Sequence, residues 1–588
     1  MSGSSRIRRF AVATACVVSV GSPAIPAPAS SMAEVQPGVW DTAPPSVPPA
    51  FHLSVTRSGS RWRVAEGRNA PPPIRVGRHL EFRFRRGTVR LEPSRSGAPS
   101  AFWIQPAREP LLSYPFATPL RLEPTARGWT ALVRPLEPPR NLRLTIEAAA
   151  DGTRSAYFRE ASRNHAGGRR FRIVRAGERL TLTDLRDPAR VVSGQFVGGR
   201  LDLTIPDLGG TIALHRVTPV PAQTPYRYRP PRAERDGWRV ADAASLGLAV
   251  APLEGLVRRI AAEPPGPSEA AVHSVMVAYR GRLVLEEYFR GFHGEPHDIR
   301  SAGKTLTATI VGAAIGHGVP IAPETTVYPA FARRYPGLAP DPLARDMTLG
   351  DLLSMRSGYA CDDEDPEMPG NEDVIAEAGG DINARILALP SVSRAGEGHP
   401  VYCSIDLHLA GATAATVAGD WLPAMFDRWV ARPLDFGRYH WNLTPTGEGY
   451  GAGGAYVRPR DLLKIGQLYL SDGLWNGRRV LPEAWTRLAT QQHTVFAPPP
   501  TGSQPPNPGD VHGYGYGWHR YLLDHGDRRY ETYAATGNGG QFVVVVPSLD
   551  LVVGFTGGNY GAHRIWGRWL KELIPAYANA AVPREGQR

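Results

Sequence analysis

From residue 56 to residue 220 the chain alternates apolar and polar residues with a period of two, and no long helical segment interrupts the pattern. The clearest runs are Trp62-Arg63-Val64, Leu80-Glu81-Phe82-Arg83-Phe84, Leu142-Arg143-Leu144-Thr145-Ile146, Phe171-Arg172-Ile173-Val174 and Leu201-Asp202-Leu203-Thr204-Ile205. Successive side chains of a strand point to opposite faces, so each run offers one dry face and one wet face. Gly, Pro and Asp turns separate the runs, which predicts antiparallel sheet folded as a sandwich or small barrel. The wet positions are largely arginine. Residues 1–235 carry 36 arginines against 17 acids, a net +19 within a total of +12, so the remainder is acidic. That division marks two domains of different chemistry.

Flanking segments frame this region. Arg6, Arg8 and Arg9 followed by apolar Phe10 to Val20 and the small residues up to Ser31-Met32-Ala33 read as an export signal over residues 1–33. The apolar stretch is too short to span a bilayer, and Cys16 sits in only a faint lipoprotein box. Export implies a periplasmic or extracellular location. Residues 34–55 and 221–235 read as Pro-rich linkers. After the first thirty residues no 18-residue apolar run occurs, so an internal membrane span is not expected.

Residues 236–588 mix the two periodicities. Ala244 to Ala262 is amphipathic at helical spacing. Val275 to Leu285 reads as a hairpin about Arg280-Gly281-Arg282, and Thr305 to Gly316 as a buried helix of small residues. Gln541 to Pro547 and Leu551 to Gly557 read as two strands, and Ile565 to Ile574 as a closing helix before Pro575. Strands at both ends around a helical middle predict an α/β domain. It would be an antiparallel sheet flanked by helices with an all-helical subdomain, preceded by the all-β region.

Of the 67 basic residues only Lys304, Lys464 and Lys571 are lysine. Such a skew follows genome composition, which weakens the high pI as a sign of nucleic-acid binding, and no nucleic-acid-binding motif is visible. It also singles out the lysines, because lysine can lose its proton in a protein and arginine cannot. Lys304 lies three residues after Ser301 at the start of the small-residue helix, which places both side chains on one face. A serine hydroxyl needs a base to become a nucleophile, and a buried lysine with its pKa depressed could supply one. The helix start adds N–H groups that favour developing negative charge.

The surrounding segments give this pair a context. His297 to Val319, Met347 to Gly358, Tyr402-Cys403-Ser404, Gly453-Gly454 with Arg458-Pro459-Arg460-Asp461-Leu462-Leu463, and Ala535-Thr536-Gly537-Asn538-Gly539-Gly540-Gln541 together resemble the penicillin-recognising serine hydrolases. The likeness is to class C β-lactamases and their esterase and peptidase relatives, and it runs from about 270 to 575. It implies Ser301 as nucleophile, Lys304 as base and Tyr402 as the shuttle that protonates the leaving group. It implies Thr536 and Gly537 at the substrate-binding edge strand, and an oxyanion hole from the N–H groups of Ser301 and Asn538.

Two positions depart from the family pattern. Ser404 stands where Tyr-x-Asn has its amide, and Ala535 stands where Lys-Thr-Gly has its ammonium. Both weaken recognition of a substrate carboxylate, so the implied substrate is an uncharged small ester or amide, cleaved through an acyl-enzyme without metal or organic cofactor. A penicillin-interactive β-lactamase or D-alanyl peptidase remains an alternative. A catalytically silent envelope-binding protein is another, with the basic β-domain docking on an anionic cell-envelope surface.

Cys361 and Cys403 are the two cysteines beyond the signal segment, and in an oxidising compartment they read as one disulfide or else as two buried thiols. Asp362-Asp363-Glu364-Asp365 and Glu367 read as a solvated acidic loop. His293-Gly294-Glu295-Pro296-His297 is not expected to bind metal, because Pro296 breaks the helix such a site needs. No Gly-x-Ser-x-Gly elbow or phosphate loop is present.

Overall fold

The computed structural model describes residues 37–560 apart from 43–49, 95–97, 108–113, 137–141, 149–152, 160–169, 206–209, 218–225, 264–269, 497–512 and 526–527. The expected export signal, Cys16 and the helix expected at Ile565 to Ile574 lie outside the described residues.

The period-two region builds two β structures, one threaded into the other. Gly38–Thr42 and the seven consecutive strands from Arg143–Ala148 to Gly210–Arg216 form a closed eight-stranded barrel. The first strand closes it by pairing with Arg143–Ala148 on one side and Gly210–Arg216 on the other. Closure removes the unpaired edges that an open sheet of this length would expose. Leu144, Leu180, Leu182, Leu201, Leu203 and Leu214 fill the interior, fully buried, as a small barrel requires.

Between the first two barrel strands, residues 51–133 fold as a sandwich. A four-stranded sheet containing Phe51–Ser58 and Gly128–Val133 faces a six-stranded one, and Val55, Phe82, Leu91, Trp103 and Val133 lie between them. The proposed linker at 34–55 is thereby corrected, since it contributes strand Gly38–Thr42 and the start of Phe51–Ser58. Prolines around these five-residue and eight-residue strands hid them.

The six-stranded sheet is completed from far along the chain. Its edge strand Trp441–Asn442 pairs antiparallel with Phe116–Pro119. Around that seam Phe102 packs edge-on against Trp421, Arg90 stacks over the same indole, and Thr118 Oγ1 lies 2.6 Å from His440 Nδ1. Residues 226–235, expected as a polar joint, also lie against the downstream domain. Tyr226 donates to Glu287, Tyr228 donates to the Val284 carbonyl, and the Arg232 carbonyl accepts from Arg460.

The downstream domain is a nine-stranded sheet with helices on both faces. Val272–Tyr279, Arg282–Tyr288 and the pair Gln541–Val546 and Leu551–Gly557 lie side by side in it, so both ends of the domain meet in one sheet. These central strands read as apolar runs because both faces are covered. Val275 and Val277 face helix Val250–Ala262, while Met276 and Ala278 face the opposite core. Between Gly303 and Phe426 the regular elements are helices joined by loops, with Gly303–Gly316 packed against Ser404–Ala418 at their centre. Among the described residues no helix is long and apolar enough to cross a membrane.

Candidate active site

Ser301 sits in a single 3-10 turn, Arg300–Ala302, that opens directly into helix Gly303–Gly316. The turn is tightly held. Arg300 takes a left-handed conformation with φ 47°, its N–H donates to Asp298 Oδ1 at 3.0 Å, and its guanidinium lies over the Tyr560 ring. Beneath it runs Gly453, with φ 144°. A Cβ there would come within 2.5 Å of the Arg300 carbonyl oxygen and 3.3 Å of Ser301 Cα, so only glycine lets the two backbones approach. On the other side Gly537 ends strand Arg528–Gly537 against the same turn, where a Cβ would meet the Ile299 carbonyl oxygen at 2.3 Å.

One helical turn on from Ser301, Lys304 is 2 % exposed. Its Nζ lies 3.1 Å from Ser301 Oγ and 2.9 Å from Ser404 Oγ, and 4.8 Å from the centre of the Tyr402 ring. The helix is fixed along its length by threonine hydroxyls. Thr305 donates to the Gly517 carbonyl and Thr307 to the Gly451 carbonyl. Ser301, Tyr402 and Ser404 therefore lie together around Lys304 Nζ.

The remaining predicted residues border them. Thr536 is buried opposite Phe542, one residue before Gly537, and shares a hydrogen bond with Tyr521. Asn538 begins the turn into Gln541–Val546, and its carbonyl accepts from Gln541 Nε2 at 3.3 Å. Ala535 is buried in the same strand and offers no charge. The Cys361 and Cys403 sulfurs lie 1.96 Å apart, at disulfide distance.

Two expectations are overturned here. The acidic loop is not simply solvated. Asp363 turns inward, its Oδ2 accepts the Ser404 N–H at 2.8 Å, and its own N–H donates to the Tyr402 carbonyl. Burial, helped by the neighbouring Glu372 carboxylate and opposed by Lys304, pushes its pKa up to about 6. The second concerns Lys304. Burial alone would lower its pKa, but Tyr402, Glu372 and Asp363 outweigh burial and raise it above the ordinary lysine value.

Glu372 was not singled out in the sequence. It opens helix Glu372–Ala378 behind the cap Asn371, accepts from Ser404 Oγ through Oε2 at 3.1 Å, and receives the Tyr450 hydroxyl on Oε1. A signal for Asp363 did exist. Pairing Cys361 with Cys403 forces the residues just beyond Cys361 against Tyr402 and Ser404. His519, also unnoticed, stacks on Tyr402 with ring centres 5.9 Å apart.

Asp406, two residues after Ser404, is 1 % exposed and accepts the Ser357 N–H at 3.3 Å. Burial pushes its carboxyl up to about 8. His297, from the segment rejected as a metal site, pairs with His273 at 2.8 Å, and burial lowers the pKa of both. Among the described residues no group of three His, Cys, Asp or Glu is placed to hold a metal ion.

Comparison with solved structures finds similar chains at low identity. A penicillin-binding protein homologue from Caulobacter crescentus is 16% identical over 52% of this chain and 92% of its own, with a TM-score of 0.41. An octameric penicillin-binding protein homologue from Pyrococcus abyssi is 17% identical over 56% and 78%, at 0.40. A D-stereospecific amidohydrolase from Streptomyces is 16% identical over 52% and 94%, at 0.37. The family model described as Beta-lactamase matches residues 257–560, more than half of the sequence. The chain, with Ser301 and Lys304 inside that match, belongs to the beta-lactamase family.

Proposed function

We propose that this protein is a serine hydrolase that cleaves a small uncharged ester or amide through an acyl-enzyme on Ser301. The observation that carries the reading is the buried Lys304 Nζ at 3.1 Å from Ser301 Oγ. Ser301 Oγ attacks the substrate carbonyl carbon while its proton passes to Lys304. The N–H groups of Ser301 and Asn538 stabilise the oxyanion that forms. Tyr402 delivers a proton to the leaving group, and a water molecule then releases the acyl group by the reverse path. The scheme uses no metal or organic cofactor.

Substrate charge follows from the surroundings. Ala535 offers no cation to a substrate carboxylate, and Asp363 and Glu372 place negative charge beside Lys304. Both features favour a neutral substrate. Export fits the basic and apolar N-terminal stretch, and an oxidised Cys361–Cys403 pair would tie the acidic loop to the residue beside Tyr402. Arg172, Arg179 and Arg186 are exposed on the barrel and would suit an anionic envelope surface.

The test is intact-mass spectrometry of residues 34–588 after brief exposure to an activated short-chain ester, with Ser301→Ala as control and steady-state ester turnover alongside. An acyl-sized gain or turnover in the wild type alone supports the reading. Turnover that persists in Ser301→Ala refutes it. Hydrolysis of nitrocefin in preference to simple esters would move the penicillin-interactive alternative ahead.

A further inference from the structure

In the proposed reaction Tyr402 protonates the leaving group, so the hydroxyl must point at one place. Two contacts restrain the residue at its ends. Its carbonyl accepts the Asp363 N–H, and its neighbour Cys403 lies at disulfide distance from Cys361. Its hydroxyl shares a hydrogen bond with Lys304. Neither fixes the plane of the ring, because the torsion between the side-chain stem and an aromatic ring is soft.

His519 lies where that plane can be set. It opens strand His519–His525, which pairs with the strand carrying Thr536 and Gly537 so that His519 stands opposite Ala534. On its other side His519 stands opposite Tyr514. The imidazole is buried and packed among rings of the same sheet. Tyr514 meets it edge-on, with centres 4.9 Å apart and planes at 83°, and Tyr521 lies parallel to it at 6.0 Å and 2°. Tyr402 belongs to a loop outside the sheet, yet its ring lies 5.9 Å from the imidazole with the planes within 25°. That is offset stacking, the arrangement aromatic pairs prefer. Phe496 also approaches Tyr402, at 6.3 Å, but tilted by 56°.

We infer that His519 is a positioning residue, whose sheet-anchored ring stacks on Tyr402 and holds the hydroxyl in the orientation that protonates the leaving group. The inference deepens the Ser301–Lys304–Tyr402 reading and rests on it. A stacked pair favours its own orientation by a factor of about 2 to 10, which sets the size of the effect. Stacking needs the ring and not a charge, so phenylalanine at 519 preserves the function and an aliphatic side chain does not.

The leaving group distinguishes this role from a general structural one. With ethyl acetate the C–O bond breaks as the ethoxide oxygen takes the Tyr402 proton, and the proton that Lys304 took from Ser301 replaces it. With p-nitrophenyl acetate the acyl group is the same, but nitrophenolate departs without a proton. A loosened Tyr402 therefore slows the first ester more than the second, whereas a damaged fold slows both alike. The ratio of the two kcat/KM values isolates the effect, since it covers acylation only.

The experiment measures that ratio, p-nitrophenyl over ethyl acetate, on the full chain. The variants are His519→Ala, His519→Leu, His519→Phe, Tyr402→Phe and Tyr402→Phe/His519→Ala, with Ser301→Ala as control. His519→Ala and His519→Leu are expected to raise the ratio about fivefold, either one sufficing if the other does not fold, and His519→Phe to keep the wild-type ratio. In the Tyr402→Phe background His519→Ala is expected to change the ratio no further, because its action passes through the missing hydroxyl. Equal losses on both esters, a His519→Phe that behaves like His519→Ala, or a rise that persists without the hydroxyl would each overturn the positioning role and leave the acyl-enzyme reading intact. A Tyr402→Phe with the wild-type ratio, or turnover in Ser301→Ala, overturns the underlying reading and this role with it.

Discussion

Asp406 offers the sharpest test of the energetics, because its effect on stability has a definite sign and slope. Its carboxyl is buried in the first turn of Ser404–Ala418 with Asp363 and Asp351 as like-charged neighbours, and it is raised from the usual carboxylate value to about 8. Between pH 4 and pH 8 the folded protein therefore holds a proton that the unfolded chain has released. Stability falls as pH rises wherever the native state binds more protons. Each unit costs about 1.4 kcal/mol, so across roughly four units the burden reaches ~6 kcal/mol above pH 8.

Asp406→Asn keeps the shape and the acceptor for the Ser357 N–H but has nothing to ionise. The variant should match the wild type near pH 4–5 and gain on it by about 4 kcal/mol between pH 5 and pH 8. At about 2 °C per kcal/mol for a large domain, that is roughly 8 °C in Tm. Buried His273, His297, His408 and His440, whose pKa values are lowered, act in the opposite sense below about pH 6.5, and their contributions cancel in the difference between the two proteins. Scanning calorimetry at each pH reads the result. A Tm difference that does not change with pH would refute the reasoning.

Gly453→Ala should lower kcat/KM for an activated ester by about 100-fold, since the new Cβ must push the Arg300 carbonyl and displace Ser301 by a substantial fraction of an ångström. Unchanged turnover would mean that the glycine does not set the position of the serine. Arg460 is fully buried and bridges Asp236, Glu286 and the Arg232 carbonyl. Arg460→Met should cost about 3–5 kcal/mol by leaving buried carboxylates without a partner, read as a lower denaturant midpoint. Thr118→Val removes the partner of His440 Nδ1 across the sandwich seam and should cost about 1–3 kcal/mol, with faster proteolysis of residues 51–133 as a second readout.

Sequence made the central sheet legible because its strands are buried on both faces. Val275–Tyr279 and Leu551–Phe555 are apolar runs bounded by turn residues, within strands Val272–Tyr279 and Leu551–Gly557 that are buried from end to end. The hairpin turn was equally plain, since Arg280 and Gly281 both take left-handed conformations in a tight connection between two such strands. Trp441–Asn442 was not legible, because a two-residue strand carries no periodicity and its partner lies more than 300 residues away. Within the site the same division holds. Ser301 and Lys304 are three residues apart on one helix, so local spacing places them together. Glu372 reaches Ser404 across 32 residues through the fold alone. The direction of the Lys304 shift was missed for that reason: burial, which lowers it, is foreseeable from a small-residue helix, but Tyr402, Glu372 and Asp363, which raise it, come from elsewhere in the chain.

The pairing of Phe116–Pro119 with Trp441–Asn442 brings the upstream sandwich close, along the chain, to the turn that holds Ser301. From Trp441–Asn442 the chain runs into Tyr450, whose N–H returns to the Asn442 carbonyl at 2.9 Å and whose hydroxyl rests on Glu372, and then into Gly453 beneath Ser301. Cutting the sequence at residue 257, where the family match begins, would leave Trp441–Asn442 without its partner strand Phe116–Pro119 and open a sheet edge about a dozen residues from Gly453.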